Sequence, residues 1–290
     1  MYINLNLYRI FLVVAKSKSY SDASKKLNIS TTAISKNINQ LEDLLDTKLF
    51  FRENDGVKLT ADGSKLFEYV EKSMNEIDAG EKLILQKNDL DNGEIAIGSL
   101  SHISSFYIMD AIDKAVKEHP NLKITLVNCS SGKELIKLLE EHKIDFAIDN
   151  TAMTIDKTRI CKEELKNMEN IFISDKPVNI KDIKELEKLP LILGLEYTYT
   201  SRELLNLLKE YNVELNPKIK IDYTELKINA VKRGLGISYV LKEAVKKELK
   251  NKEIFEVTVP IELPTSKLNL LYLNGQLTKA DKTFIRKYLK

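Results

Sequence analysis

The chain has 290 residues, 43% of them hydrophobic and 30% charged, with a net charge of +2 at pH 7. Such a length asks for two or three domains with substantial cores, and the balance is that of a globular protein, not a disordered or fibrous one. No apolar run approaches the roughly 20 residues of a membrane span, and Met1 to Leu12 lacks a basic-then-apolar export signal, so a cytoplasmic chain with no membrane partner is expected.

Charge is unevenly spread. Residues 1–60 carry nine Lys/Arg against six Asp/Glu, whereas residues 61–90 carry four against seven. A positive bias at the N-terminal end suits contact with a polyanion.

The first helix is expected from about Asn6 to Lys16, with Leu7, Phe11 and Val14 on its inner face. Ser19 caps a second from about Tyr20 to Leu27, Asn28 to Ser30 form a tight turn, and a third runs from about Thr31 to Leu45. Ile34, Ile38, Leu41 and Leu45 recur at helical spacing, so one face of this third helix packs inward. Its other face offers Thr32, Ser35, Lys36 and Asn39: short hydroxyls, a cation and an amide, the groups that reach base edges and phosphates. An ordinary solvated face is the plainer alternative. Helix, turn and longer helix is the helix-turn-helix order. Leu49-Phe50 and Val57-Lys58-Leu59, around Asn54-Asp55-Gly56, make a hairpin wing whose Arg52 and Lys58 lie within reach of phosphates or a minor groove. A stray charge on a solvent loop suits Lys58 better than Arg52.

From Thr60, a plausible cap, to about Asn88 the pattern is one long helix with Leu66, Val70, Met74, Ile77 and Ile84 on a narrow stripe. One small domain does not bury such a seam, so a second copy of the chain is the expected partner. Gly80 weakens the helix locally.

Beyond Asp91-Asn92-Gly93 strands and helices alternate. Strands are expected at Ile95–Gly98, Lys123–Val127 and Ile144–Ile148, with helices at Ile103–Glu118 and Gly132–His142. A second series has strands near Asn170–Ser174, Pro190–Leu193, Lys218–Asp222 and Gly236–Val240, with helices at Ser201–Tyr211, Thr224–Lys232 and Leu241–Leu249. Leu268–Leu273 is one more strand before a last helix, Thr278–Leu289. The expected result is two α/β lobes built on parallel sheets, with a cleft between them and a chain that crosses out and returns.

Phe11, Ala15, Ser19-Tyr20, Ala23, Leu27, Ser35, Ile38, Leu41-Glu42, Leu49-Phe50, Arg52, Leu59-Thr60 and Gly63, in that order and spacing, together with the long helix and the two-lobed remainder, resemble a LysR-type transcriptional regulator across essentially the whole chain. The resemblance is most specific over the first sixty residues. It implies a winged helix-turn-helix at 1–60, a linker and dimerisation helix at 61–90, and a periplasmic-binding-protein-like effector region at 91–290. Lobe I of that region is expected at about 91–164 and 266–290, and lobe II at about 165–265. It further implies a homodimer through the linker helix, assembly into tetramers, double-stranded promoter DNA as partner and no cofactor. The family's DNA-facing positions fall on Thr31, Thr32, Ser35 and Lys36, with Arg52 in the wing. Two departures matter. Thr31-Thr32 stands where the family commonly has Gln-Pro, which removes a bidentate adenine reader, and Asp46 stands where it has Gly.

Three hydroxyl-rich segments fall where a strand gives way to a helix: Ser99-Leu100-Ser101-His102, Ser130-Ser131-Gly132 and Thr198-Tyr199-Thr200-Ser201-Arg202. Such edges line ligand crevices in α/β folds, and helix N-termini favour anions, so a small polar or anionic effector is expected there, with Asn150 beside it. The plainer reading of each Ser or Thr is a helix cap. Asp149 is expected to discourage a highly charged anion. Cys129 and Cys161 have no metal-ligand spacing and only His102, His119 and His142 for company, so no metal site is expected, and buried thiols are the commoner reading over a redox pair. An enzyme and a solute receptor are the competing classes. No Ser/His/Asp set, phosphate loop or carboxylate pair supports the first, and the attached DNA reader opposes the second.

Overall fold

The computed structural model describes residues 3–53, 56–85, 90–151, 155–195 and 198–290, with the side chains of residues 52 and 53 also outside that description. The expected Asn54-Asp55 turn, the end of the long helix at 86–88 and the Arg52 side chain therefore lie outside the described residues. Two units separate, Met1–Ile84 and Leu85–Lys290.

The first unit opens with α1 (Leu5–Ser17), α2 (Tyr20–Leu27) and α3 (Thr31–Leu45). Each start is fixed by a side chain that accepts an otherwise orphaned backbone N–H: Asn4 from Asn6, Ser19 from Asp22 and Ser30 from Ala33. Each end is a left-handed residue, Lys18, Asn28 and Asp46. Asp46 takes the positive φ, 48°, that the family's glycine would supply; a short polar side chain tolerates that region better than most. Ile34, Ile38 and Leu41 bury with Phe11, Val14 and Ala23 in one core, each large side chain contributing about 1.5–3 kcal/mol of transfer free energy. Leu45 is only half-buried.

Strands β1 (Phe50–Glu53) and β2 (Gly56–Leu59) pair antiparallel, Phe50 opposite Leu59 and Glu53 opposite Gly56. Glu42, buried in the last turns of α3, holds the root of this wing: its Oε1 accepts from Leu49 N (2.8 Å) and Phe50 N (3.3 Å), and its Oε2 meets Lys48 Nζ at 2.6 Å. Gly56 adopts φ +149°, and a Cβ there would fall 2.3 Å from Lys18 O, the carbonyl to which Val57 N–H donates. That close approach locks the wing to the end of α1.

Helix α4 (Ala61–Leu85) starts as expected, with Thr60 Oγ1 accepting from Gly63 N at 2.9 Å. Its stripe divides. Leu66, Val70 and Met74 belong to the first unit's own core, whereas Ile77 and Ile84 are exposed, as are Tyr69 and Leu85. The seam expected for a second copy is thus shorter and lies in the C-terminal half of the helix. Α4 continues unbroken through Gly80.

In the second unit, lobe I has a five-stranded sheet ordered β4-β3-β5-β12-β6: β3 (Glu94–Leu100), β4 (Lys123–Cys129), β5 (Phe146–Asp149), β6 (Ile160–Met168) and β12 (Ser266–Leu273). Lobe II has β11-β7-β10-β8-β9: β7 (Asn170–Ser174), β8 (Leu191–Leu193), β9 (Ile219–Lys220), β10 (Ile237–Leu241) and β11 (Phe255–Val257). Both sheets are mixed, not parallel. β3 runs parallel to β4 and β5, but β12 is antiparallel to β5 and β6; β8 runs parallel to β9 and β10, but β7 is antiparallel to β10 and β11. The antiparallel members are the strands at which the chain leaves lobe I and comes back. Asn170 Nδ2 donates to Pro264 O (2.7 Å) and Ser266 Oγ (3.0 Å), joining the two crossing segments.

The helices are α5 (Ser101–Ile103), which passes through a π-helical turn (Ser104–Ile108) into α6 (Met109–Glu118), then α7 (Gly132–Glu140), α8 (Tyr199–Glu210), α9 (Thr224–Lys232), α10 (Lys246–Lys250) and α11 (Lys279–Phe284). The helix expected at Leu241–Leu249 is a strand end, a 3-10 turn (Lys242–Val245) and the short α10. Leu241 and Val245 are buried there on different cores, which a regular helix does not allow.

Candidate DNA face and effector cleft

On α3, Thr31, Thr32, Lys36 and Asn39 are exposed and Ser35 is half-buried; Thr32, Ser35, Lys36 and Asn39 share one shallow concave face with Gln40, Asp43 and Leu44. Ile34, Ile38 and Leu41, spaced four and three apart along the opposite side of the helix, point into the core, so the outer face is presented rigidly. Lys58 is exposed on β2. The wing's other candidate, Arg52, has its side chain outside the described residues.

In the second unit, the carboxyl ends of β3, β4 and β5 in lobe I face those of β8, β9 and β10 in lobe II across a cavity of about 850 Å³. Nine of the ten expected effector residues line it: Ser101, His102, Ser130, Ser131, Asn150, Thr198, Thr200, Ser201 and Arg202. Ser99 does not. It lies fully buried inside β3 and its hydroxyl donates to Leu100 O, because a strand residue one position before the turn still faces the sheet's packing.

Only some of the hydroxyls are caps. Ser131 accepts from Glu134 N at the start of α7, but α5 has no side-chain cap, and Thr198 Oγ1 instead donates to Leu195 O (2.9 Å) and meets Ser201 Oγ at 2.8 Å. α8 begins at Tyr199, two residues before the expected start, which carries Thr200 and Ser201 into its first turn. Ser130 is held by Glu134 Oε2 through both its N–H and its hydroxyl.

His102 Nε2 lies 3.3 Å from Asn150 Oδ1. Burial, opposed in part by that hydrogen bond and reinforced by Lys227, brings its imidazole down to about 4. The ring is neutral at pH 7. Asp149 departs from the sequence expectation: its carboxylate accepts from Thr151 N and Oγ1, is not on the wall, and is pushed up to about 6 by burial. The carboxylates on the wall are Glu134, Asp222 and Glu225. Glu225 in lobe II accepts from Ser105 Oγ in lobe I at 2.7 Å, a direct tie between the lobes.

Sequence reasoning missed Lys227. It lines the cavity at 8% exposure, and Nζ donates to Tyr239 O at 3.2 Å. Burial pushes its ammonium down to about 8, partly offset by Asp222 and Glu225, so it remains largely charged at pH 7. A signal was present: Lys227 stands three and four positions before Ala230 and Val231, on the buried arc of α9.

The cysteines cannot form an intrachain pair. Cys129 ends β4 and Cys161 lies in β6, the two edges of the lobe I sheet; four strand spacings separate them, roughly 19 Å, far beyond disulfide reach. Burial pushes the Cys129 thiol up to about 11. Among the described residues no cluster of His, Cys, Asp and Glu could hold a metal ion, and no helix is long and apolar enough to cross a membrane.

A helical DNA reader with a wing, followed by a long helix and two α/β lobes around a polar cleft, is the arrangement of a transcriptional regulator that responds to a small molecule. Residues 5–64 match the sequence signature described as "Bacterial regulatory helix-turn-helix protein, lysR family" and residues 88–289 that described as "LysR substrate binding domain". The chain belongs to the LysR family of DNA-binding transcriptional regulators, with a substrate-binding effector domain. It is similar to the HTH-type transcriptional regulator CzcR of Bacillus subtilis, 29% identical over 240 residues covering 82% of this chain and 80% of that protein. A probable RuBisCO transcriptional regulator of Trieres chinensis is 28% identical over 267 residues, covering 88% of this chain and 86% of that protein. Among solved structures, a probable transcriptional regulator of Pseudomonas aeruginosa superposes with a TM-score of 0.71 at 15% identity, covering 99% of this chain and 97% of that one. Vibrio fischeri DarR, solved in complex with DNA, gives 0.60 at 20% identity, covering 100% and 99%.

Proposed function

We propose that this regulator reads duplex DNA with the outer face of α3, as a homodimer joined through the exposed half of α4, and that an anionic or polar metabolite in the lobe cleft sets how the paired readers sit on the DNA. The observation that carries the reading is the α3 face itself: Thr32, Lys36 and Asn39 exposed with the half-buried Ser35 between them, on a helix capped at both ends. Thr31 at the first helical position joins them, with Lys58 and Arg52 of the wing as phosphate contacts. DarR's complex with DNA supports the general mode, while the base preference of this chain is its own because Thr31-Thr32 replaces the usual amide.

Ile77, Ile84 and Leu85, apolar side chains left exposed in the C-terminal half of α4, support dimerisation there. Two half-site contacts multiply a modest single-helix affinity through effective concentration, and pairing of dimers into tetramers extends the same logic. On this reading residues 1–60, 61–90 and 91–290 divide the labour as reader, coupler and sensor. On this reading the protein works in the cytoplasm as a regulator and not an enzyme, which its membership of a family of transcriptional regulators supports. Effector binding between the lobes shifts a two-state balance and so the spacing of the readers.

Mobility shifts with the chain's own upstream DNA, combined with light scattering, test this directly. Retardation that weakens steeply with salt, by a dimer or tetramer, is expected. A monomer, or no retardation at low salt, would overturn it.

A further inference from the structure

α3 carries three side-chain amides, Asn37, Asn39 and Gln40, and they are not equivalent. Asn37 is spent on the helix itself, its Nδ2 donating to Ala33 O at 2.7 Å. Asn39 and Gln40 are exposed, and among the described residues neither side chain makes a hydrogen bond to the protein. The first turn, Thr31-Thr32, offers hydroxyls and no amide.

Direction separates the two free amides. At about 100° of turn per residue, Asn39 projects between Thr32 and Ser35, about 20° from the first and about 40° from the second, whereas Gln40 turns about 80° from Thr32, towards the half-buried Leu44. Thr32, Ser35 and Asn39 are all short, so on their flank the helix backbone can come close to base edges. Further along, Asp43 returns to the line of Thr32 and Lys36 and is exposed there. Phosphates repel its carboxylate, which keeps the last turn of α3 out of the groove and leaves Asn39 as the final polar group of the stripe to enter it.

Resting on the reading of α3 as the helix that enters the major groove, we infer that Asn39 is the specificity-determining residue for an adenine. Its amide N–H donates to adenine N7 and its carbonyl oxygen accepts from adenine N6; facing guanine, the same oxygen meets O6, a second acceptor, and the bidentate pair is lost. Thr32 and Asn39 stand seven residues apart, about 10.5 Å along the helix axis, which is about three base-pair rises. The adenine therefore lies about three pairs from the base that Thr32 reads.

Selection of bound duplexes from a library randomised across the half-site, followed by mobility-shift titration of the full chain, tests this. Wild type selects an adenine about three pairs from the position that Thr32→Ala relaxes. Asn39→Ala, no less stable than wild type in thermal unfolding, relaxes that adenine alone; its affinity for the selected site falls roughly 5- to 150-fold, with little change on non-specific DNA or in the salt dependence. Replacing the adenine with 7-deazaadenine, which lacks N7, weakens wild type and leaves Asn39→Ala unaffected. The inference is overturned if Asn39→Ala weakens all sequences equally, as loss of a phosphate contact does, if Gln40→Ala is the variant that relaxes the adenine, or if 7-deazaadenine weakens both proteins alike. Each of those results leaves α3 in the groove. A selection that yields no preferred sequence, or one that Thr32→Ala, Lys36→Ala and Asn39→Ala together leave unchanged, sinks the reading of α3 as well.

Discussion

Replacing Glu42 with Ala tests how the DNA reader is held together. The carboxylate is buried, and its Oε1 is the acceptor for Leu49 N at 2.8 Å and, at a longer 3.3 Å, for Phe50 N. A charge-assisted bond of this kind contributes about 1.5–3 kcal/mol, and leaving the buried Leu49 N–H unpaired places the loss in the upper part of that range. The Lys48 pair adds little, since that lysine is mostly exposed to solvent. The loss is about 2–3 kcal/mol, which for a unit of this size lowers the midpoint of its unfolding on the order of 10–20 °C. Glu42→Gln keeps an oxygen for the two N–H groups and should cost about 1 kcal/mol. Circular dichroism melting gives the size, and hydrogen exchange at Leu49 and Phe50 gives the place. If Glu42→Ala costs under about 0.5 kcal/mol, or the two amides stay as protected as before, the wing is not held by this carboxylate.

On DNA, Lys36→Ala should weaken binding to every sequence and flatten its salt dependence, whereas Thr32→Ala should change preference at one base position by about 1–3 kcal/mol; equal, sequence-blind losses from both contradict that division. Gly80→Ala should raise stability by about 0.5–1 kcal/mol in denaturant unfolding, because a Cβ there meets nothing within 4 Å and the helix is unbroken. The pH dependence of the second unit has two opposed arms. His102, held at about 4 against about 6.5 unfolded, contributes stability that is complete above about 6.5 and is lost as pH falls towards 4; Asp149, raised to about 6, contributes stability that is lost as pH rises from about 4 to 6. In His102→Gln only the second arm remains, so the variant should fall progressively behind wild type between pH 4 and 6.5. A constant difference across that range means His102 is not the depressed group.

The helices and their caps were legible because they rest on local chemistry. Ser19 and Thr60 cap as their side chains dictate, and the Ile34, Ile38, Leu41 spacing reports the core face of α3. The cleft was legible as well, since hydroxyl-rich strand ends mark the edge where parallel strands hand over to helices. β6 was not: Cys161-Lys162-Glu163-Glu164-Leu165-Lys166 is charged and half-exposed, an edge strand whose identity comes from pairing with β12 and not from its own propensity. β11, three residues long, carries as little signal. The divided α4 stripe and the buried Lys227 depend on which partner each element packs against, information that lies far along the chain.

Footprinting of the full chain on its own upstream DNA tests the central claim most directly. Two protected major-groove stretches related by a dyad, one helical turn or a multiple of it apart, are predicted, with both lost together in a Lys36→Ala, Asn39→Ala variant that still folds. Protection with no dyad, or protection that survives removal of those two side chains, would show that the outer face of α3 does not enter the groove.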